Sequence, residues 1–268
     1  MKLKEESIQI DFDTKRTIRN LLIFCIAFEL FLVGLDAVVN YGKFTEIGAI
    51  RRLCNIARED SLASWFGTTQ TFVMSLTVWL IALVIHHLPA SKKRFLGWCL
   101  IAAFFTYMAV DDGAEIHERV GTAFEKIVNP EDSDASSSFF GSLLDIFPSY
   151  AWQILFIPLF GGMGLFILIF LWGELQSKTS RILITTALAL FAMAVVLDFI
   201  EGLDKNHKWN IYTWIKKTYE LRRYTVKHFA KSLEETIEMM GITFFWVAFI
   251  DHLAMLIPNG LKFVPRKK

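Results

Sequence analysis

Apolar residues along this chain collect in long runs separated by short polar stretches, and no alternating pattern competes with them. Runs of about 20 apolar residues are long enough to cross a bilayer as helices. The pattern predicts six such helices, at about residues 19–40, 68–88, 95–112, 150–172, 182–201 and 233–257. The second stops at Pro89, and the third is expected to continue as helix past its apolar run to about Lys126. The fold class expected is therefore all-α, a polytopic membrane bundle of six transmembrane helices. A polar arm (1–18) precedes the membrane domain (19–258), and a basic tail (259–268) follows it. Asn129 to Ser142 reads as a polar, serine-rich loop.

Composition agrees with the pattern. The chain is 54% hydrophobic over 268 residues, with 25 Phe and 8 Trp, and its mean hydropathy is +0.41. A net charge of +1 says nothing about partners. Cys25, Cys54 and Cys99 are far apart without paired spacing, which argues against a disulfide framework or a thiolate metal site. The compact Lys92-Lys93-Arg94 turn and the Lys262 to Lys268 tail lie tight against their spans, while Gly113 to Ser149 is mainly acidic. The raw count of lysines and arginines on the two sides is a tie, and that asymmetry breaks it in favour of both termini in the cytoplasm.

The chemistry concentrates in Tyr107 to Arg119, which packs four carboxylates and a histidine into a few residues. On a continuous helix, Asp111, Glu115 and Glu118 would lie within about 60° of one another, flanked by Asp112 and His117. Like charges on one stripe repel unless a cation, a proton or an arginine sits among them. Odd-numbered spans end, and even-numbered spans begin, at the same membrane face. Asp36, Asp111 to Glu118, Asp198, Glu201, Glu234 and Glu238 are thereby directed to one end of the bundle, as is Arg58-Glu59-Asp60.

Three explanations compete for this acidic face. The first is a divalent cation held by hard oxygen ligands, Ca²⁺, Mg²⁺ or Mn²⁺, or a two-metal centre. Its ligands would be Asp36, Asp111, Glu115, His117, Glu118, Asp198, Glu201, Glu234 and Glu238. A ferritin-like di-iron site is disfavoured, since Ala114 stands where Glu-x-x-His needs a glutamate. The second is a conduction mouth, with Glu29, near the middle of the first span, as a proton or cation relay. Such a path would continue toward His86 and His252. The third is a structural network neutralised by Arg58, Arg119 and Lys231.

Between the fifth and sixth spans, basic and aromatic residues interleave. Trp209, Trp214, Lys216, Lys217, Arg222 and Arg223 suit an interfacial segment on anionic lipid headgroups. Nucleic acid is not an expected partner; the bilayer is, together with a second copy or another membrane protein. Gly161-Gly162-Met163-Gly164 and Pro158 in the fourth span suggest close helix packing or a kink.

Asn55-x-x-Arg58-Glu59-Asp60-Ser61-x-x-x-Trp65-Phe66, then Asp111-Asp112 and His117-Glu118, then Glu234-Glu235-x-x-Glu238-Met239-x-Gly241 together resemble a family of uncharacterised bacterial multipass inner-membrane proteins. The third-span motif has Asp-Asp where the family's commoner form is Asp-Glu. The resemblance implies residence in a bacterial inner membrane and transfers no activity. The best-supported function is transport, conduction or sensing of a cation, divalent metal or proton, at a carboxylate-rich site. A membrane-embedded metal-dependent enzyme acting on a lipid-like substrate is one alternative, and a structural subunit of a membrane complex is the other.

Overall fold

The computed structural model describes residues 13–128, 139–258 and 260. Among the described residues, six helices are long and apolar enough to cross a membrane, so the chain is a polytopic helical membrane protein. They are α1 (Thr14–Tyr41), α3 (Leu62–His87), α4 (Lys92–Ala114), α7 (Ala151–Glu174), α8 (Lys178–Gly202) and α10 (Arg223–Leu256). Short helices join them: α2 (Gly48–Leu53), α5 (Ile116–Val128), α6 (Phe139–Ile146) and α9 (Ile211–Thr218). Their starts follow from local sequence. Ser61, Ser91, Ser177 and Asn210 each accept a backbone N–H of the first turn of α3, α4, α8 and α9, satisfying donors that a helix end leaves open.

α10 is the hub, packing against α1, α3, α8 and α9. Half of its apolar stretch is buried inside the bundle, against 11% for α7, whose apolar surface therefore faces lipid. The core lies where α3, α4, α7, α8 and α10 converge, around Met74, Val78, Trp98, Ile101, Phe105, Ile167, Leu171, Ile184, Phe245 and Phe249. At the far end from the carboxylates, Arg94 pairs with Glu174 at 2.7 Å, and the Trp98 indole N–H donates to the same carboxylate at 2.9 Å. This ties α4 to α7.

Three expectations need correction. The third span does not run on as one helix: α4 ends at Ala114, Glu115 is left-handed (φ +52°), and a new helix starts at Ile116. Asp111, Glu115 and Glu118 therefore do not form one helical stripe. The last helix starts at Arg223, about ten residues earlier than its apolar run. Its 34 residues make it about 51 Å long, well beyond a hydrocarbon core of about 30 Å. Basic and aromatic residues had the composition of an interfacial loop, yet the first turns of the helix are held by Val226 and His228, both buried, and by the bond of Thr225 to Tyr41. Part of the serine-rich loop is also helical, as α6; its residues 129–138, like residues 1–12 of the arm and residues 259 and 261–268 of the tail, lie outside the described residues.

Candidate binding cavity

The break at Glu115 builds the rim of a cavity. Because the chain turns there, the His117 backbone N–H donates to Asp111 Oδ1 at 2.9 Å. The His117 ring Nδ1 lies 2.7 Å from Asp111 Oδ2. Asp111 thus serves as both the cap of α5 and the fixed partner of the imidazole. A left-handed non-glycine residue costs on the order of 1 kcal/mol, and it persists where the surroundings demand it. Gly121, one turn further on, lets α5 lie directly on the start of α7. A Cβ at that position would come 2.5–2.7 Å from the Trp152 Cβ and backbone. That close approach brings the His117 ring edge-on to Trp152, with centroids 4.6 Å apart.

The cavity has a volume of about 570 Å³ and two chemically distinct ends. Its rim carries Asp111, Asp112, Glu115, Glu118 and His117 from the α4–α5 junction, Glu59 from the loop before α3, Asp198 from α8, and Lys231, Glu234, Glu235 and Glu238 from α10. Its interior is lined by Phe104, Phe105, Met108, Phe160, Leu188, Phe191, Ile242 and Phe245. Ile157, Gly161 and Leu165, about a turn apart on α7, belong both to this lining and to the outer surface of the bundle. The cavity therefore opens sideways at the depth of α7. Gly161 and Gly162 have no atom within 4 Å of where a Cβ would stand, and Gly164 has only Leu188, at 3.8 Å. The glycine run does not pack helices together, as its composition suggested; Gly161 and Gly164 instead leave space that the cavity occupies.

Among the described residues of the rim, Lys231 is the one lysine or arginine. Its ammonium lies 2.7 Å from Glu234 Oε1 and 3.3 Å from Glu235 Oε1. The Thr68 hydroxyl donates to Asp112 Oδ2 at 2.5 Å, and Gln153 Nε2 donates to Asp198 Oδ2 at 2.7 Å. Two lining groups outside the spans, Glu59 and His117, have shifted. Glu59 is exposed at its outer edge, yet loss of water around its carboxyl, and then the Glu235, Asp112 and Glu118 charges opposed by Lys231, push it up to about 7. Burial works against the imidazolium of His117, but the hydrogen bond and charge of Asp111, helped by Glu118 and Asp198, raise it above its ordinary value.

The expected ligand set is divided by the structure. Asp111, Glu115, His117, Glu118, Asp198, Glu234 and Glu238 line the cavity. Asp36 belongs elsewhere: its carboxylate meets His228 Nε2 at 2.8 Å, Asn40 Nδ2 at 2.8 Å and the Ile56 N–H at 3.4 Å, a buried knot joining α1, the loop after α2 and α10. Glu201 pairs with Lys227 at 3.1 Å and is not among the lining residues. Among the described residues, no three His, Cys, Asp or Glu side chains are grouped so as to hold a metal ion. Glu59, Asp112, Glu235 and Lys231 were not among the expected ligands, although the charge of each residue and its position near a span end were legible.

The other expectations divide in the same way. Arg58 pairs with Asp60, and Arg119 with Glu115 at 3.4 Å, both exposed; of the three cations expected to neutralise the acids, Lys231 alone is inserted among them. Glu29 is buried against Gln70 and Thr243, away from the cavity lining. Between it and His252 lie Met74, Val78, Ile81, Phe245, Ala248 and Phe249, buried and apolar, where a polar path was one expectation. His86 is exposed against Phe95 and His87. The Thr71 and Ser75 hydroxyls donate to carbonyls of their own helix, as side chains of this kind commonly do. Trp209, Trp214, Lys216, Lys217, Arg222 and Arg223 are all exposed, on or beside α9, and the three cysteines are free.

No curated protein and no solved structure matches the chain. Residues 21–253, which run from α1 into the last turn of α10, match the family described as Domain of unknown function (DUF8692), and the chain belongs to that family.

Proposed function

We propose that this protein binds an amphiphilic cation, a long-chain ammonium whose head sits among the rim carboxylates and whose tail fills the apolar interior. The observation that carries this reading is the continuity of the two surfaces in one cavity that opens sideways along α7. Among the described residues, nine carboxylates line it against one lysine and one histidine, so the rim favours a positive guest. Lys231 already places a primary ammonium against two of them. A hydrated metal ion gains nothing from Phe104, Phe191 or Phe245, whereas an alkyl chain gains about 0.8 kcal/mol per buried CH₂. The volume falls within the range of about 300–1,000 Å³ usual for small-molecule sites. Trp152, packed on His117 at the rim, adds a face to which a quaternary ammonium is attracted.

The test is affinity for dodecyltrimethylammonium and for a neutral twelve-carbon alcohol, measured in nanodiscs of zwitterionic lipid. The charged ligand is expected to bind, and Glu238→Gln to weaken it roughly tenfold, since hydrogen bonds and contacts to charged groups are worth about 1.5–3 kcal/mol. Equal affinity for both compounds would sink the proposal. One observation favours a second reading, an enzyme acting on the same amphiphile: Asp111 fixes His117 as in acid–base dyads. Turnover of a long-chain amine derivative, abolished in His117→Gln while binding persists, would identify it.

For localisation we infer a bacterial inner membrane with both termini in the cytoplasm. Lys92, Lys93 and Arg94 start α4 at the end opposite the carboxylates, so the positive-inside tendency puts the cavity rim at the outer face. The exposed α9 segment would then rest on headgroups of the outer leaflet. Labelling of an introduced cysteine at Ser91 by a membrane-impermeant reagent only after the cells are opened is the expected outcome.

A further inference from the structure

Three polar side chains meet away from the cavity, inside the bundle: Glu29 of α1, Gln70 of α3 and Thr243 of α10. All are almost completely buried, at 1%, 3% and 0% exposure. Gln70 Nε2 donates to the Thr243 hydroxyl at 2.6 Å and lies 3.2 Å from Glu29 Oε1. The Thr243 hydroxyl in turn donates to Glu29 Oε1 at 2.5 Å. One oxygen of each longer side chain has no partner among the described residues: Glu29 Oε2 and Gln70 Oε1 are both buried and unmatched.

Both unmatched atoms are acceptors, and they belong to two side chains already joined by one hydrogen bond. A carboxylate and an amide cannot satisfy each other further, because between them they have run out of donors directed at those oxygens. A carboxylic acid can, since its O–H is a donor and the amide oxygen a strong acceptor. An ionised carboxylate in this place would also be a buried charge with no counter-charge, which is costly. The other titratable group bearing on Glu29 is the Cys25 thiol, one turn earlier on α1.

We propose that Glu29, Gln70 and Thr243 form a proton-binding site, with the proton carried by Glu29 Oε2 and given to Gln70 Oε1. The loaded site is a second polar anchor of α1, beside the Asp36 knot. That helix buries only 22% of its apolar stretch in the bundle, and the proton lets it hold α3 and α10 at once without a naked charge. α10 also carries Ile242 and Phe245 of the cavity interior, and α3 carries Thr68, which bonds Asp112 at its rim. The site therefore joins α10, which lines the cavity, to α1 and α3, which do not, and lies outside the lining itself.

Infrared difference spectroscopy at pH 7 on the full chain in nanodiscs tests this directly. Wild type minus Glu29→Gln should show the carbonyl stretch of a protonated, hydrogen-bonded carboxylic acid. Gln70→Leu should move that band to higher frequency as its hydrogen-bond acceptor is lost, a readout that holds even where Glu29→Gln fails to fold. Glu29→Gln, which mimics the protonated acid in shape, should keep the thermal midpoint of wild type, while Glu29→Ala lowers it. Carboxylate bands in place of the acid band would overturn the proposal. So would a sodium-dependent rise in the midpoint of wild type that Glu29→Gln abolishes, since the site would then hold a metal ion instead of a proton.

Discussion

At the cavity rim, Glu59 and His117 titrate in senses that reinforce each other. Glu59 is raised from 4.5 to about 7, so the preference of the folded chain for its neutral form is complete below pH 4.5. That contribution is lost as pH rises through about 7. His117 is raised above 6.5, so its stabilisation by Asp111 is complete below that pH and fades as pH climbs through the folded value. Without ligand, the thermal midpoint should therefore fall between about pH 5 and 8, and His117→Gln should flatten part of the slope. A fixed-charge ammonium should show the opposite trend. Its affinity rises over the same range because Glu59 gains negative charge while His117 sheds positive charge, and titration of dodecyltrimethylammonium at pH 6 and 8 reads this directly. Asp36 behaves differently, as a structural group. Asp36→Ala strands the buried His228 and should cost about 3–5 kcal/mol, with ammonium affinity unchanged in the protein that folds.

Individual helices set how the rim and interior come together. α5 reaches α7 only because residue 121 lacks a side chain. The atoms that a Cβ would meet there are backbone atoms and the Cβ of Trp152, which cannot swing aside. Gly121→Ala is therefore expected to destabilise the protein by about 1–3 kcal/mol and to loosen His117 from Trp152, measurable as a lower thermal midpoint and weaker ammonium binding. Gly161→Leu should act the other way on stability. Replacing an exposed helical glycine removes a backbone-entropy penalty of about 1 kcal/mol, while the new side chain fills the side opening and reduces binding of long-chain ligands. The membrane helices themselves were legible, because their apolar runs and serine caps obey simple length and capping rules. The break at Glu115 was not: nothing in Gly113-Ala114-Glu115-Ile116 disfavours continuing a helix strongly enough, and the bonds from His117 to Asp111 that reward the turn are tertiary. The early start of α10 was hidden for a similar reason, since its first turns are held by Asp36 and Glu201, far away in sequence.

Across the whole molecule, the acids gathered at one end as span parity requires, but the use of each depended on contacts that parity does not specify. His228 took Asp36 and Lys227 took Glu201, leaving the cavity to acids whose neighbours are mainly other acids. The apolar half of the site was legible only as core, because Phe, Leu and Ile lining a cavity have the same helical spacing as Phe, Leu and Ile filling one. What distinguishes them here is the glycine run of α7, whose missing side chains leave room beside α8 and α10. The most direct test of the amphiphile cavity is photolabelling in nanodiscs with a long-chain trimethylammonium carrying a diazirine at the end of its tail. Crosslinks are expected on the cavity segments Leu188–Val195 and Ile242–Phe245, and should be lost in Gly161→Leu. Crosslinks confined to lipid-facing residues such as Phe24 and Phe31 of α1, undiminished by that substitution, would contradict it.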